Sequence, residues 1–177
     1  MRVASQLTFC SPKQILRQAI VEQDDNKVIK SILSLENQQV ETANTLFFDG
    51  IISKNLVSIQ QQLHTSELPH YISEYQYLDL RAMQLSASFF PSNKPLVLDF
   101  GTSDPAAINR LLQLNYPFLN AFSIFEIIAA AVYYPALILS HPPLLEVGLS
   151  TDLLLWKSID LVNKKQTMHT SIFMLNT

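Results

Sequence analysis

The hydrophobic period of this chain changes twice along its length, and that change limits its architecture more than any other property. Through the first sixty residues apolar side chains tend to recur at every second position. Val3, Leu7 and Phe9 alternate loosely along residues 2–9, residues 15–22 continue in the same style, and residues 27–35 place Val28 and Ile32 inward. A period of two belongs to strands that bury one face. Cys10-Ser11-Pro12-Lys13 reads as a turn. Asp24-Asp25-Asn26 makes a tight connection, because Asp and Asn tolerate turn and left-handed conformations. Residues 37–44 form a polar loop, and Thr45–Phe48 and Leu56–Ile59 are further short strands. The opening third is therefore a β-rich meander.

The period then lengthens. Leu68, Tyr71, Ile72, Tyr75, Leu78 and Ala82 recur at helical spacing and predict a helix over residues 67–88. The short apolar run Leu96–Phe100 ends at Gly101 and predicts a buried strand. Ser103 or Asp104 can cap the helix that follows, with Pro105 in its first turn. Ser123-Ile124-Phe125-Glu126 is a capping box opening a helix through Tyr133, and Pro135 starts another helical turn. His141-Pro142-Pro143 forces an extended linker. Residues 152–158 and 171–175 are late strands. Two β-rich ends around an α/β middle suggest that head and tail pair into one sheet.

Composition excludes several classes. Apolar residues are 48% and charged residues 15%, enough to bury a core, with so little charge that a covered subunit interface is indicated. A net charge of −3 without a basic run argues against nucleic acid as a partner. Cys10 stands alone, so it forms no internal disulfide, and a reduced cytoplasm suits it. The opening MRVASQLTF lacks the apolar stretch of a signal peptide. Residues 121–139 approach the length of a membrane span, but Glu126 and Pro135 interrupt them, and a buried helix is expected instead.

Three segments carry a family pattern. Leu46–Leu63 reads LFFDGIISKNLVSIQQQL, with Gly50, Ile51, Ile52, Leu56 and Leu63 in register with G-I-I-x-P-G-L-I-N-x-H-x-H-L. It follows Ile20-Val21 through Ile29 and Ile32, which are like an I-V-x-x-D-x-x-x-I-x-x-I opening. Residues 98–104, LDFGTSD, are similar to L-G-T-D-S, with Asp104 one residue late. Glu126, Ala131, Pro135 and Ala136 follow E-x-x-x-x-A-T-x-N-P-A, and Gly148–Leu154 follows G-K-x-A-D-L-L. In this order the segments resemble metal-dependent amidohydrolases of the cytosine-deaminase and imidazolonepropionase type.

The resemblance implies a mixed α+β fold. A β-sandwich-like composite domain would be formed by both chain ends, residues 1–59 plus 144–177. Residues 60–143 would be a small α/β remnant of a TIM barrel. Only about 35 residues separate Leu63 from Leu98, room for roughly one βαβ unit where the family has most of its barrel. The family's two metal-binding histidines fall on Gln60 and Gln62, whose amides are weak ligands for zinc or iron.

The implied protein is a catalytically inactive, amidohydrolase-like homodimer with a structural or binding role. No cofactor is expected, residues 67–90 and 105–139 supply much of the contact, and Gln60 and Gln62 are candidate ligand-binding groups. The alternative is a metal-dependent hydrolase acting on C–N bonds, with zinc or iron held by His64, His70 and Asp104 across a dimer interface. A third reading is a regulatory partner of a full-length amidohydrolase. Asp99 and Asp104 also flank Gly101-Thr102 as a weak carboxylate pair, for which a helix cap and a strand end are the simpler roles. Cys10 has no evident histidine to activate it.

Overall fold

The computed structural model describes residues 1–35, 43–63, 72–82, 93–114 and 117–175. The fold is mixed α+β. Its centre is a six-stranded sheet of β1 (Arg2–Ser11), β2 (Gln14–Gln23), β3 (Ile29–Ser34), β4 (Leu46–Lys54), β7 (Leu153–Asp160) and β8 (Lys165–Leu175), in the order β3-β2-β1-β4-β7-β8. A separate pair, β5 (Gln76–Asp79) and β6 (Leu96–Asp99), runs parallel. Head and tail of the chain meet at the antiparallel β4–β7 ladder, where Ile51 opposes Trp156 and Lys54 opposes Leu153. Within the large sheet β1 and β4 are the parallel neighbours, and the other pairs are antiparallel.

The large sheet buries both faces. Phe9, Ile51, Leu154, Trp156 and Ile172 join the main core with β6 and the helices. Val3, Val21, Ile29, Ile52, Leu153 and Leu155 form a second core under Leu145. The change of face along β1 and β2 has a local cause. Leu7 and Phe9 point into the main core, whereas Val3 and Cys10 point into the second, an odd spacing that a regular strand cannot produce. The break coincides with irregular backbone: Gln18 on β2 has φ +44°, and Ser5 pairs with Phe48 while Leu7 pairs with Ile51, so β4 gains one residue. Gly50 sits in that step with φ +130°. A Cβ there would lie 2.0 Å from the Trp156 carbonyl oxygen, so only glycine lets β4 approach β7.

Helical segments pack around the sheet, and those from residue 105 to 133 complete the main core, whereas Ile59 of the first joins Val97 and Ile138 in a separate small cluster. α1 (Ile59–Gln62) is a single turn after β4. α2 (Pro105–Gln113) starts at Asp104, whose carboxylate accepts from Ala106 N at 3.1 Å and Ala107 N at 3.2 Å. It lies along the edge strand β8. There Asn109 Nδ2 donates to the Ile172 carbonyl at 2.8 Å and Asn109 Oδ1 accepts from Ile172 N at 2.7 Å. One side-chain amide thus supplies both bonds that a further strand would make at that residue.

After a 3₁₀ turn (Pro117–Ala121), α3 (Ile124–Ile128) opens with the capping box. Ser123 Oγ accepts from Glu126 N at 3.3 Å, and Ser123 N donates to Glu126 Oε2 at 2.7 Å. A π turn (Ala129–Tyr133) joins it to α4 (Tyr134–Ile138). Pro135 has no N–H to return to Ala131, and the wider turn just before it is where such a rod relaxes. Among the described residues no helix is long and apolar enough to cross a membrane.

Two sequence expectations are corrected. Leu56–Ile59 is not a strand: β4 runs on to Lys54, and Ile59 begins α1. The helix expected over 67–88 is not found in its described part: residues 76–79 form β5 by pairing with Leu96–Asp99, and that pairing overrides local helical spacing. Residues 67–71 and 83–88 of that stretch lie outside the described residues.

Candidate functional site

Chemistry-bearing side chains converge at the C-terminal ends of β5 and β6, the end where open parallel sheets place ligands. The parallel register sets Asp79 beside Asp99. Asp99 is 1% exposed, so its carboxylate must be satisfied by protein groups. Its Oδ1 accepts from Ser58 Oγ and Gly101 N, each at 2.8 Å. Its Oδ2 accepts from Gln60 N and the Tyr77 hydroxyl, each at 2.9 Å. Each oxygen thus holds one hydroxyl and one backbone N–H. The carboxylate ties together the turn into α1, β5 and the loop after β6. Burial first, and then the Asp99 charge, push the Tyr77 phenol far above its ordinary value, so it stays a donor at neutral pH.

Gln60 extends the cluster outward. Its Nε2 donates to Asp79 Oδ2, and its Oε1 accepts from Arg81 Nη2. Arg81 returns to Asp79 through an N–O contact of 3.7 Å and through its own backbone N–H at 3.0 Å. Gly101, at φ +63°, lies beneath the Arg81 guanidinium; a Cβ there would fall 1.8 Å from Arg81 Nε.

The sequence candidates are distributed unevenly around this cluster. Gln60 belongs to it, whereas Gln62 is exposed on α1. Asp104 caps α2 through both oxygens. His64 and His70 lie outside the described residues. Cys10 is buried in the second core, where burial pushes its thiol up to about 11 and keeps it protonated. Tyr75 and Tyr133 pack their rings on Tyr134, at centroid distances of 5.9 and 5.3 Å.

Zinc or iron, the ions implied by the resemblance, need about three protein donors with free lone pairs. The Asp99 oxygens each accept two protein donors, Asp104 is engaged as a helix cap, and Gln60 offers only an amide oxygen, so this donor set does not fit such an ion. Among the described residues no three His, Cys, Asp or Glu side chains group closely enough to hold one.

Sequence reasoning read Tyr77 only as an interface or packing tyrosine and passed over Asp79 and Arg81, because the strand and turn that present them were hidden under helical spacing. It also passed over Lys54, which is 6% exposed at the end of β4. The available signal for Lys54 was a lysine closing the apolar run GIIS. In comparison with known proteins, no protein-family model and no curated protein matches this chain.

Proposed function

We propose that this is an amidohydrolase-like protein without metal-dependent turnover, acting as a structural or binding homo-oligomer. The observation that carries the reading is the Asp99 carboxylate, whose four acceptor positions are all taken by protein donors. Gln60, which stands where the resemblance expects a metal ligand, bonds Asp79 and Arg81 instead, and Asp104 caps a helix. A carboxylate so fully committed to its own fold is a joint, not a reagent. Leu114 and Leu137, 47% and 44% exposed, fall in the 105–139 stretch expected to meet a second copy.

Two measurements on untagged protein test the proposal together. Elemental analysis with deaminase and amidase assays should give less than a stoichiometric transition metal and no turnover. Light scattering after size exclusion should give about twice the 20.0 kDa chain mass. Stoichiometric zinc or iron with turnover would instead favour the hydrolase built across an interface. A 20.0 kDa species at high concentration would remove the oligomer.

A further inference from the structure

Lys54 ends β4 inside a cavity of about 300 Å³, walled also by Asn55, His141, Pro142, Ser150, Thr151 and Asp152. That volume is at the small end of ligand pockets. Among the described residues the Lys54 amine has one hydrogen-bond acceptor, the Pro142 carbonyl, and no carboxylate within ion-pairing distance. The acid in the wall, Asp152, is already paired with Lys27. A buried ammonium without a counter-ion is costly, whereas a neutral amine donating one hydrogen to Pro142 keeps its lone pair free.

We propose that Lys54 is a covalent-capture site for small hydroxyl-bearing aldehydes and ketones, held in this cavity as imines. The nitrogen lone pair attacks the carbonyl carbon, a C–N bond forms, and one nitrogen proton moves to the carbonyl oxygen. The resulting carbinolamine hydroxyl takes a second proton from solvent and leaves as water, while the remaining nitrogen proton returns to solvent. The balance is amine plus carbonyl to imine plus water, with no oxidant or reductant.

The walls favour this ligand over an anion. Ser150 Oγ donates to the Asn26 carbonyl at 3.1 Å, and Thr151 Oγ1 donates to the Asp152 carbonyl at 3.0 Å. Both hydroxyl protons are therefore engaged, and these oxygens offer a ligand acceptor capacity, not the donors that a carboxylate or phosphate needs, although Thr151 Oγ1 already accepts from Asn55 N at 3.4 Å. Burial lowers the Lys54 amine to about 8 from 10.5. At pH 7 a lysine so shifted carries roughly 300-fold more neutral amine than an ordinary one.

The test is reductive trapping on the unaltered protein. Glycolaldehyde with cyanoborohydride at pH 7, followed by peptide mass mapping, should label Lys54 at least about tenfold faster than the exposed Lys13 and Lys164, the remainder of the amine advantage being offset by limited entry. K54M should lose the fast adduct and leave the others unchanged. Labelling of Lys54 no faster than Lys13 overturns the proposal, even if the variant fails to fold. Saturable binding of acetate at the cavity without a Lys54 adduct overturns it as well, in favour of an anion site.

Discussion

Replacing Asp99 by asparagine separates a structural joint from a tolerant buried polar residue. The two side chains have nearly the same shape, so packing is preserved and the effect is one of hydrogen-bond polarity. In the native cluster each carboxylate oxygen receives one hydroxyl proton and one backbone N–H. An asparagine must turn its NH₂ toward one of these pairs. The Ser58 or Tyr77 hydroxyl on that side can rotate and become an acceptor, but the backbone N–H of Gly101 or Gln60 cannot. One buried N–H is left facing a donor whichever way the amide is set.

Losing a charge-assisted bond and stranding that donor should cost about 2–3 kcal/mol, roughly 5–10 °C in melting temperature for a chain of this size. D99A strands all four donors and should cost more, about 4 kcal/mol or above. Y77F removes a single neutral donor and should cost about 1 kcal/mol. Urea unfolding at pH 7, followed by fluorescence and circular dichroism, measures all three with unchanged m-values. An asparagine variant within about 0.5 kcal/mol of the parent would refute the reasoning, because that is the scatter of ordinary surface changes. So would a Y77F variant that loses more than D99A.

Three further outcomes follow from other parts of the fold. G50A forces a Cβ against the Trp156 carbonyl at a φ of +130° and should cost about 3 kcal/mol or more, seen as a drop in urea midpoint or failure to accumulate folded protein. N109A uncovers the Ile172 N–H and C=O on edge strand β8; about 1–2 kcal/mol of lost stability and faster aggregation, measured by light scattering on mild heating, are expected. Lys54 titrates lower in the folded chain than in the unfolded one, so between about pH 8 and 10.5 the unfolded state binds more protons and this residue makes stability rise with pH. The rise is at most about 3 kcal/mol, nearer 2 after solvent screening. Cys10 and Tyr77 shift upward and pull the other way at high pH, so the difference between parent and K54M at pH 7.5 and 9.5 isolates the lysine. A parent and variant with parallel pH curves would show that the amine is not buried as described.

Short-range signals were legible in the chain itself. The strands at both ends, the Asp104 cap with Pro105 and the Ser123–Glu126 box depend on residues within one turn or one pleat of each other, where backbone preference and side-chain reach decide the outcome. The shared sheet could be anticipated only from the order of elements. The tertiary structure decided the rest. The strand through Tyr77 exists because residues 96–99 lie beside it, and the need for glycine at position 50 comes from the close approach of Trp156, from the far end of the chain. Asp99 draws Ser58 and Gln60 from about forty residues away, and Lys54 meets Pro142 across 88. Such contacts leave no periodic trace in the sequence, because one polar residue among apolar neighbours reads the same whether it ends in solvent or in a buried joint.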